Sequence, residues 1–229
     1  MGVVYLIRHG QASLRSSNYD QLSEKGELQA RITGKSFRNR IEDIDRIELG
    51  SLQRHAQTLE HFTSKFRTTA NKIVVPDWNE YNHKDIIQQY NPRYSSRMYL
   101  TFDIIKKMNP KRDFLLMMNK SMDRWMSGKY DDEYVESWKV FKNRCVNALH
   151  NLLESLMDEE VALVFTSGGV KSAIVQHLMN LPDNYFMELN TKFVNCGVTK
   201  IVQTKNGTFV STFNDYAHLE KNRANITYI

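Results

Sequence analysis

The sequence predicts an α/β fold: a mostly parallel sheet flanked by helices in a three-layer arrangement. Three observations lead there. Short apolar runs at 3–7, 73–75 and 161–165 each stop abruptly at polar or turn-forming residues, as strands buried on both faces do. Segments with helical spacing of apolar residues alternate with these runs. At 229 residues, 41% hydrophobic and 25% charged, the chain has the length and composition of one large globular domain.

Composition narrows the function. The formal charge of +5 is mildly basic and suits anionic small molecules as well as nucleic acid. Cys145 and Cys196 stand outside any CxxC or metal-ligand spacing. Neither a disulfide framework nor a metal site is expected, and a reducing compartment follows. No basic segment precedes a long apolar stretch at the N-terminus, and no run approaches the ~20 apolar residues of a membrane span. Gly2 does not complete a myristoylation signal, because Leu6 occupies the Ser/Thr position. A cytoplasmic location, away from any membrane, is expected by elimination.

In chain order, residues 3–7 form the first strand, closed by Arg8, His9 and Gly10. Residues 11–21 are a polar loop with turn formers Ser13, Ser16, Ser17, Asn18 and Asp20. Ser23 is a helix cap; its helix runs to about Phe37, with Leu28 and Ile32 on one face. Ile47 and Leu49 mark a strand at 46–51, followed by a helix at 54–66 and a short strand that Pro76 ends. No strand pattern occurs from 84 to 132. Helices at 93–108 and 114–126, set off by Asn91-Pro92 and Asn109-Pro110, are expected there. They form a helical insertion, about 84–132, in a single domain spanning 1–229. A long helix is expected at 133–157, with Val135, Trp138, Val140 and Phe141 among its apolar positions. The 161–165 strand leads through Thr166-Ser167-Gly168-Gly169 into a helix at 170–179. Strands at 198–203 and 208–213 flank the hairpin signal Lys205-Asn206-Gly207.

Ligands bind beyond the carboxyl ends of strands in open α/β sheets, so the strand ends hold the candidate site. Arg8-His9-Gly10 puts a fixed cation beside an imidazole, with a glycine that permits close backbone approach. Arg54 lies in the first turn of a helix, where its guanidinium and nearby backbone N–H groups can face one anion. Glu80 sits among Trp78 and Tyr81, whose desolvation would favour a protonated carboxyl suited to a general acid. Ser167 and Gly168 open a helix with small residues, a ready anion site built from backbone N–H groups. Each has an ordinary reading alone: a strand ending in polar residues, a solvated arginine, a loop carboxylate, a tight turn. Recurrence at four strand ends of one body singles them out.

These residues resemble a known family. Leu6-Ile7-Arg8-His9-Gly10-Gln11 looks like the signature of the histidine phosphatase superfamily, which has the phosphoglycerate mutase-like fold. The resemblance continues in order through Leu22-Ser23-Glu24-Lys25-Gly26 with Gln29-Ala30, then Leu52-Gln53-Arg54-His55-Ala56-Gln57-Thr58. Asn79-Glu80, Phe165-Thr166-Ser167-Gly168-Gly169 and Phe213-Asn214-Asp215-Tyr216-Ala217-His218-Leu219 complete it. It implies that His9 is a nucleophile forming a phosphohistidine, that Arg8 and Arg54 clamp phosphoryl oxygens with Ser167 and Gly168 beside them, and that Glu80 is the proton donor. No cofactor and no metal are implied.

The chain departs from the pattern at one point. The family usually has a second histidine, in a His-Gly motif after the fourth strand, where Ser167 stands here. By analogy with oxyanion-hole deletions, losing a charged donor costs on the order of 2.7–4 kcal/mol of barrier. Slow rather than absent catalysis is expected. His55, His83 and His218 are candidate replacements, His83 foremost because it follows Glu80 by three residues; Gln11 is a further accessory candidate.

Three functional readings stay open. One is a phosphatase acting on a small phosphate monoester. Another is a catalytically weak or inactive phospholigand-binding or interaction protein. The third is a phosphoglycerate mutase-type phosphomutase, which would have to keep water from the phosphohistidine. The expected partner is a small phosphorylated substrate, and a homodimer is compatible with the sequence. Nucleic acid is not expected, since Lys106-Lys107 and Lys111-Arg112 near Phe114 are short runs of the kind found on solvated helix faces. The insertion is expected to cover the strand ends and shape substrate access. Its aromatics (Tyr90, Tyr94, Tyr99, Phe102, Phe114, Trp125) are expected in a core or packed on each other.

Overall fold

A computed structural model describes residues 2–13, 20–106 and 108–228. Ser16, Ser17 and Asn18 of the expected loop, and Lys107 of the basic run, lie outside them. The chain forms two compact units, residues 1–80 with 145–229, and residues 81–144.

The first unit carries a six-stranded sheet in the order β3-β2-β4-β1-β5-β6. Strands β1 (Val3–Arg8), β2 (Arg46–Leu49), β3 (Asn71–Val74) and β4 (Val161–Thr166) are parallel. Strands β5 (Val198–Thr204) and β6 (Gly207–Asp215) finish one edge antiparallel, joined by the expected tight turn at Lys205-Asn206. The helices are α1 (Glu24–Arg38), α2 (Gln53–Thr63), α3 (His83–Tyr90), α4 (Arg97–Ile105), α5 (Pro110–Met126), α6 (Trp138–Ser155), α7 (Gly168–Leu178) and α8 (Phe186–Lys192). This is the mostly parallel α/β fold the sequence predicts.

β1 is central because both of its faces are apolar. Tyr5 and Ile7 join a core with Phe37, Ile47, Phe62, Phe66 and Phe165. There the Phe62 ring meets Phe37 and Phe165 edge to face, each at 5.3 Å between centroids. Val4 and Leu6 point to the opposite face and are fully buried as well.

Two helices differ from expectation. In α1, Ser23 caps as predicted, its Oγ accepting from Gly26 N at 3.1 Å. The buried face, however, is Gly26, Gln29, Ala30, Thr33, Gly34 and Phe37, while Leu28 is exposed. The helix packs through its small residues: a Cβ on Gly34 would stand 2.2 Å from the Phe62 carbonyl oxygen. α6 begins at Trp138 rather than near 133, and Val135 and Val140 are exposed. The Val135 N–H donates to Asp85 Oδ2 at 2.9 Å, which holds that residue in a non-helical approach.

The second unit contains α3, which sequence periodicity did not signal, with α4, α5 and the start of α6. Trp125 packs on Tyr81, Trp138 and Phe141 at 5.3–5.6 Å between centroids, the expected aromatic core. Phe102 and Phe114 are exposed, contrary to expectation.

Candidate active site

Strand order builds the site. β4 lies between β1 and β2, with Arg8 paired to Thr166 and Leu49 to Phe165. The pairing extends past the strands: His9 N donates to Thr166 O at 2.8 Å and Gly50 N to Phe165 O at 3.2 Å. Residues that follow these strands therefore leave the sheet side by side. Arg8 and His9 come from β1, Arg54 and His55 from the first turn of α2, and Ser167 and Gly168 from the start of α7.

His9 is buried, and its Nδ1 lies 2.8 Å from the Gly10 carbonyl oxygen. A carbonyl only accepts, so Nδ1 carries the proton and Nε2 the lone pair. Burial, followed by the guanidiniums of Arg54 and Arg8 and by His55, holds the ring well below the ordinary histidine pKa. His9 is thus a neutral imidazole at pH 7, with its lone pair on Nε2. Its backbone is fixed as firmly as its ring. Gly10 N donates to Thr58 Oγ1 at 3.0 Å, and Thr58 Oγ1 donates to the Arg54 carbonyl at 2.6 Å. Asn195 Nδ2 donates to His9 O at 3.2 Å. A Cβ on Gly10 would come within 2.4 Å of the Gly26 carbonyl oxygen, so only glycine fits.

Both arginines are buried. Arg8 Nη1 donates to the carbonyls of Phe193 and Tyr228. Arg54 Nη1 donates to Asp20 Oδ1 at 2.6 Å, while Asp20 Oδ2 accepts from Gln53 N at 2.7 Å. Arg54 Nε has no partner among the described residues. Asp20 thus occupies the amino end of α2 and orients Arg54 with a charged pair.

Ser167 is fully buried and its Oγ lies 2.8 Å from His55 Nε2. The His55 ring is tilted against His9, with 5.8 Å between centroids. Burial and then Arg54 hold His55, too, well below the usual histidine range. Beside Ser167, Gly168 packs on Arg8: a Cβ there would stand 3.4 Å from Nε.

Glu80 meets the amino end of α7. The Trp78 indole donates to Glu48 Oε2 at 2.7 Å, and Tyr81 packs on Trp125 and Phe141. Each aromatic beside Glu80 in sequence thus has a partner of its own. Glu80 Oε2 accepts from Gly169 N at 3.1 Å, at the amino end of α7. Thr166 Oγ1, donating to Trp78 O at 2.7 Å, ties that loop to β4.

The accessory candidates separate. His55 is in the cluster. His83 opens α3 in the 81–144 unit. His218 Nε2 is 3.1 Å from Thr33 Oγ1 of α1, and burial pushes its pKa down to about 4. Gln11 braces α1, its N–H donating to Gln29 Oε1 at 2.9 Å and its Oε1 accepting from Ser23 Oγ at 3.1 Å. Sequence reasoning missed Thr58, Asn195 and Lys171. Lys171 is fully buried, with Nζ donating to Gly197 O at 2.7 Å. Burial, then Arg8, hold its ammonium well below the usual lysine pKa.

The profile of the histidine phosphatase superfamily (branch 1) matches residues 4–103 and 108–216. The chain belongs to this superfamily. Solved structures agree on the fold of this histidine phosphatase-type chain. YhfR of Bacillus stearothermophilus aligns with a TM-score of 0.68 at 17% identity, covering 95% of this chain and 99% of that one. Phosphoglycerate mutase of Bacillus anthracis gives 0.66 at 17% identity over 96% and 95% of the two chains. Phosphoserine phosphatase of Entamoeba histolytica gives 0.65 at 14% identity over 96% and 100%. A sequence search of curated proteins finds no match. The grouping holds a neutral imidazole, two guanidiniums, helix-terminal amides and a carboxylate. No group of three or more His, Cys, Asp or Glu able to hold a metal occurs among the described residues.

Proposed function

We propose that this chain is a metal-independent phosphatase that hydrolyses a small phosphate monoester through a phosphohistidine at His9. The observation that carries the reading is the state of His9: neutral, with Nδ1 engaged by Gly10 and Nε2 left to attack. In the first step Nε2 attacks phosphorus, the bond to the leaving oxygen breaks, and Glu80 protonates that oxygen. In the second, Glu80 takes a proton from water, the water oxygen bonds to phosphorus, and the P–N electron pair returns to Nε2. Arg8, Arg54 and the amides opening α7 stabilise charge on the transferring phosphoryl oxygens. The fold neighbours named as a phosphoserine phosphatase and a phosphoglycerate mutase work on small phosphate esters, which favours the same substrate class here.

Ser167 stands where the superfamily motif usually carries a second histidine, and this lowers the expected rate. The same feature favours the alternative of phospholigand binding without turnover. A mutase reading has no observation of its own. The test is phosphate release from a panel of aryl and alkyl phosphates by wild type and His9→Ala, with acid-labile phosphoprotein trapped by denaturing quench. Release and trapping in wild type only are expected. Equal background rates in both proteins would overturn the reading.

A further inference from the structure

His55 has no part in the steps above, yet it is fully buried and in direct contact with the site. It reaches Ser167 from 112 residues away, across the β2–β4 pairing. Room for it has been made at the end of β2, where a Cβ on Gly50 would stand 2.4 Å from His55 Nδ1. Nδ1 makes no hydrogen bond of good geometry, although the Gly50 backbone acts on the ring as a hydrogen-bond partner that raises its pKa against burial and Arg54.

We propose that His55 is a positioning residue which, through Ser167, supplies a hydrogen-bond donor to the transferring phosphoryl group. The hydroxyl of Ser167 can bond His55 in two ways. It can donate to Nε2 and turn its lone pairs toward the pocket, or accept from Nε2–H and turn its own proton there. A phosphoryl group between Arg8 and Arg54 selects the second, because lone pairs facing an anion are repelled and an O–H is attracted. His55 then fixes the one torsion on which that donor depends. Without it the hydroxyl rotates among several directions, and a donor that must be oriented during the reaction contributes less than a preorganised one. This role rests on the phosphoryl-transfer reading of the pocket, and differs from His9 in forming no bond to phosphorus.

A double-mutant cycle tests it, read both as kcat and KM on an aryl phosphate and as affinity for orthovanadate. Ser167→Ala should lower kcat about a hundredfold with little change in KM, and His55→Leu at least about tenfold. The double variant should be no slower than Ser167→Ala alone, since His55 acts only through the hydroxyl. His55→Gln, which keeps a donor of similar reach, should recover most of what His55→Leu loses. The exchange variant His55→Ala with Ser167→His, which refills the vacated volume with an imidazole at the donor position, should work at least as fast as wild type. These two variants decide the matter if His55→Leu does not fold. Unchanged kcat and vanadate affinity in His55→Leu, losses that multiply in the double variant, or no recovery in either the Gln or the exchange variant would overturn the proposal. If His9→Ala abolishes turnover while the cycle shows no coupling, the phosphatase reading stands and this one falls. If wild type shows no turnover but the cycle is coupled in vanadate affinity, the reverse holds. If vanadate does not bind at all, both fall.

Discussion

The proton on His9 is set by its neighbour in sequence, and that neighbour is set by Thr58. Gly10 offers its carbonyl to Nδ1 while its own N–H is held by the Thr58 hydroxyl, which also reaches the Arg54 carbonyl. One buried hydroxyl thus couples the His9–Gly10 loop to the helix that carries Arg54. Thr58→Val keeps the shape and removes both bonds, leaving the Gly10 N–H buried without a partner. That should cost about 1–3 kcal/mol of stability, measured by urea unfolding. It should also lower kcat more than it changes KM, because the Gly10 carbonyl that selects the His9 tautomer is loosened. Unaltered stability and kcat would show that Gly10 is held by other means. Arg8, His9, Arg54, Glu80 and Ser167 were readable as candidates because each comes soon after the end of a strand pattern. Thr58 was not, since nothing in a helical threonine marks the loop it will bond. His55 was readable only as one of three candidate histidines, and its partner depends on which strands are neighbours.

At the scale of elements, the strands and the Ser23-capped start of α1 follow the sequence closely, but the buried face of α1 does not. Hydrophobic periodicity reports side chains, whereas the α1–α2 contact rests on places where side chains are missing. Gly34 brings its backbone against the Phe62 carbonyl. Two principles conflict there. Alanine is favoured over glycine inside a helix by about 1 kcal/mol. A Cβ 2.2 Å from a carbonyl oxygen, however, meets backbone that cannot rotate away. Overpacking of this kind costs about 1–3 kcal/mol or more. Gly34→Ala should therefore lower the urea midpoint, and Leu28→Ala, on the exposed face, should leave it nearly unchanged. A stabilising Gly34→Ala would mean that α1 can shift without cost. α3 escaped notice for a related reason: an eight-residue helix with Ile86 and Ile87 adjacent in its buried set offers no period to detect.

At the scale of the molecule, the run of strands and helices was legible and the strand order was not. It is the order, with β4 between β1 and β2, that gathers residues 8, 9, 54, 55 and 167 into one place. The gathering has a thermodynamic consequence, because it buries histidines among cations and apolar walls. His9, His55 and His218 all have pKa values below the ordinary 6.5, His218 at about 4. Below pH 6.5 the unfolded chain binds protons at these rings that the folded chain refuses. Stability is therefore full above about pH 7 and falls as pH decreases through the unfolded value. His218 alone should account for about 2 kcal/mol of loss between pH 7.5 and pH 5, before most carboxylates titrate. Urea unfolding of wild type at those two pH values should show a loss larger than this, as His9 and His55 add in the same direction. In His218→Asn the loss should shrink by about 2 kcal/mol, whatever the variant's stability at pH 7.5. A wild-type stability that is level from pH 7.5 to pH 5 would mean that these rings take up protons in the folded state, and His9 would then lack the lone pair its proposed attack requires.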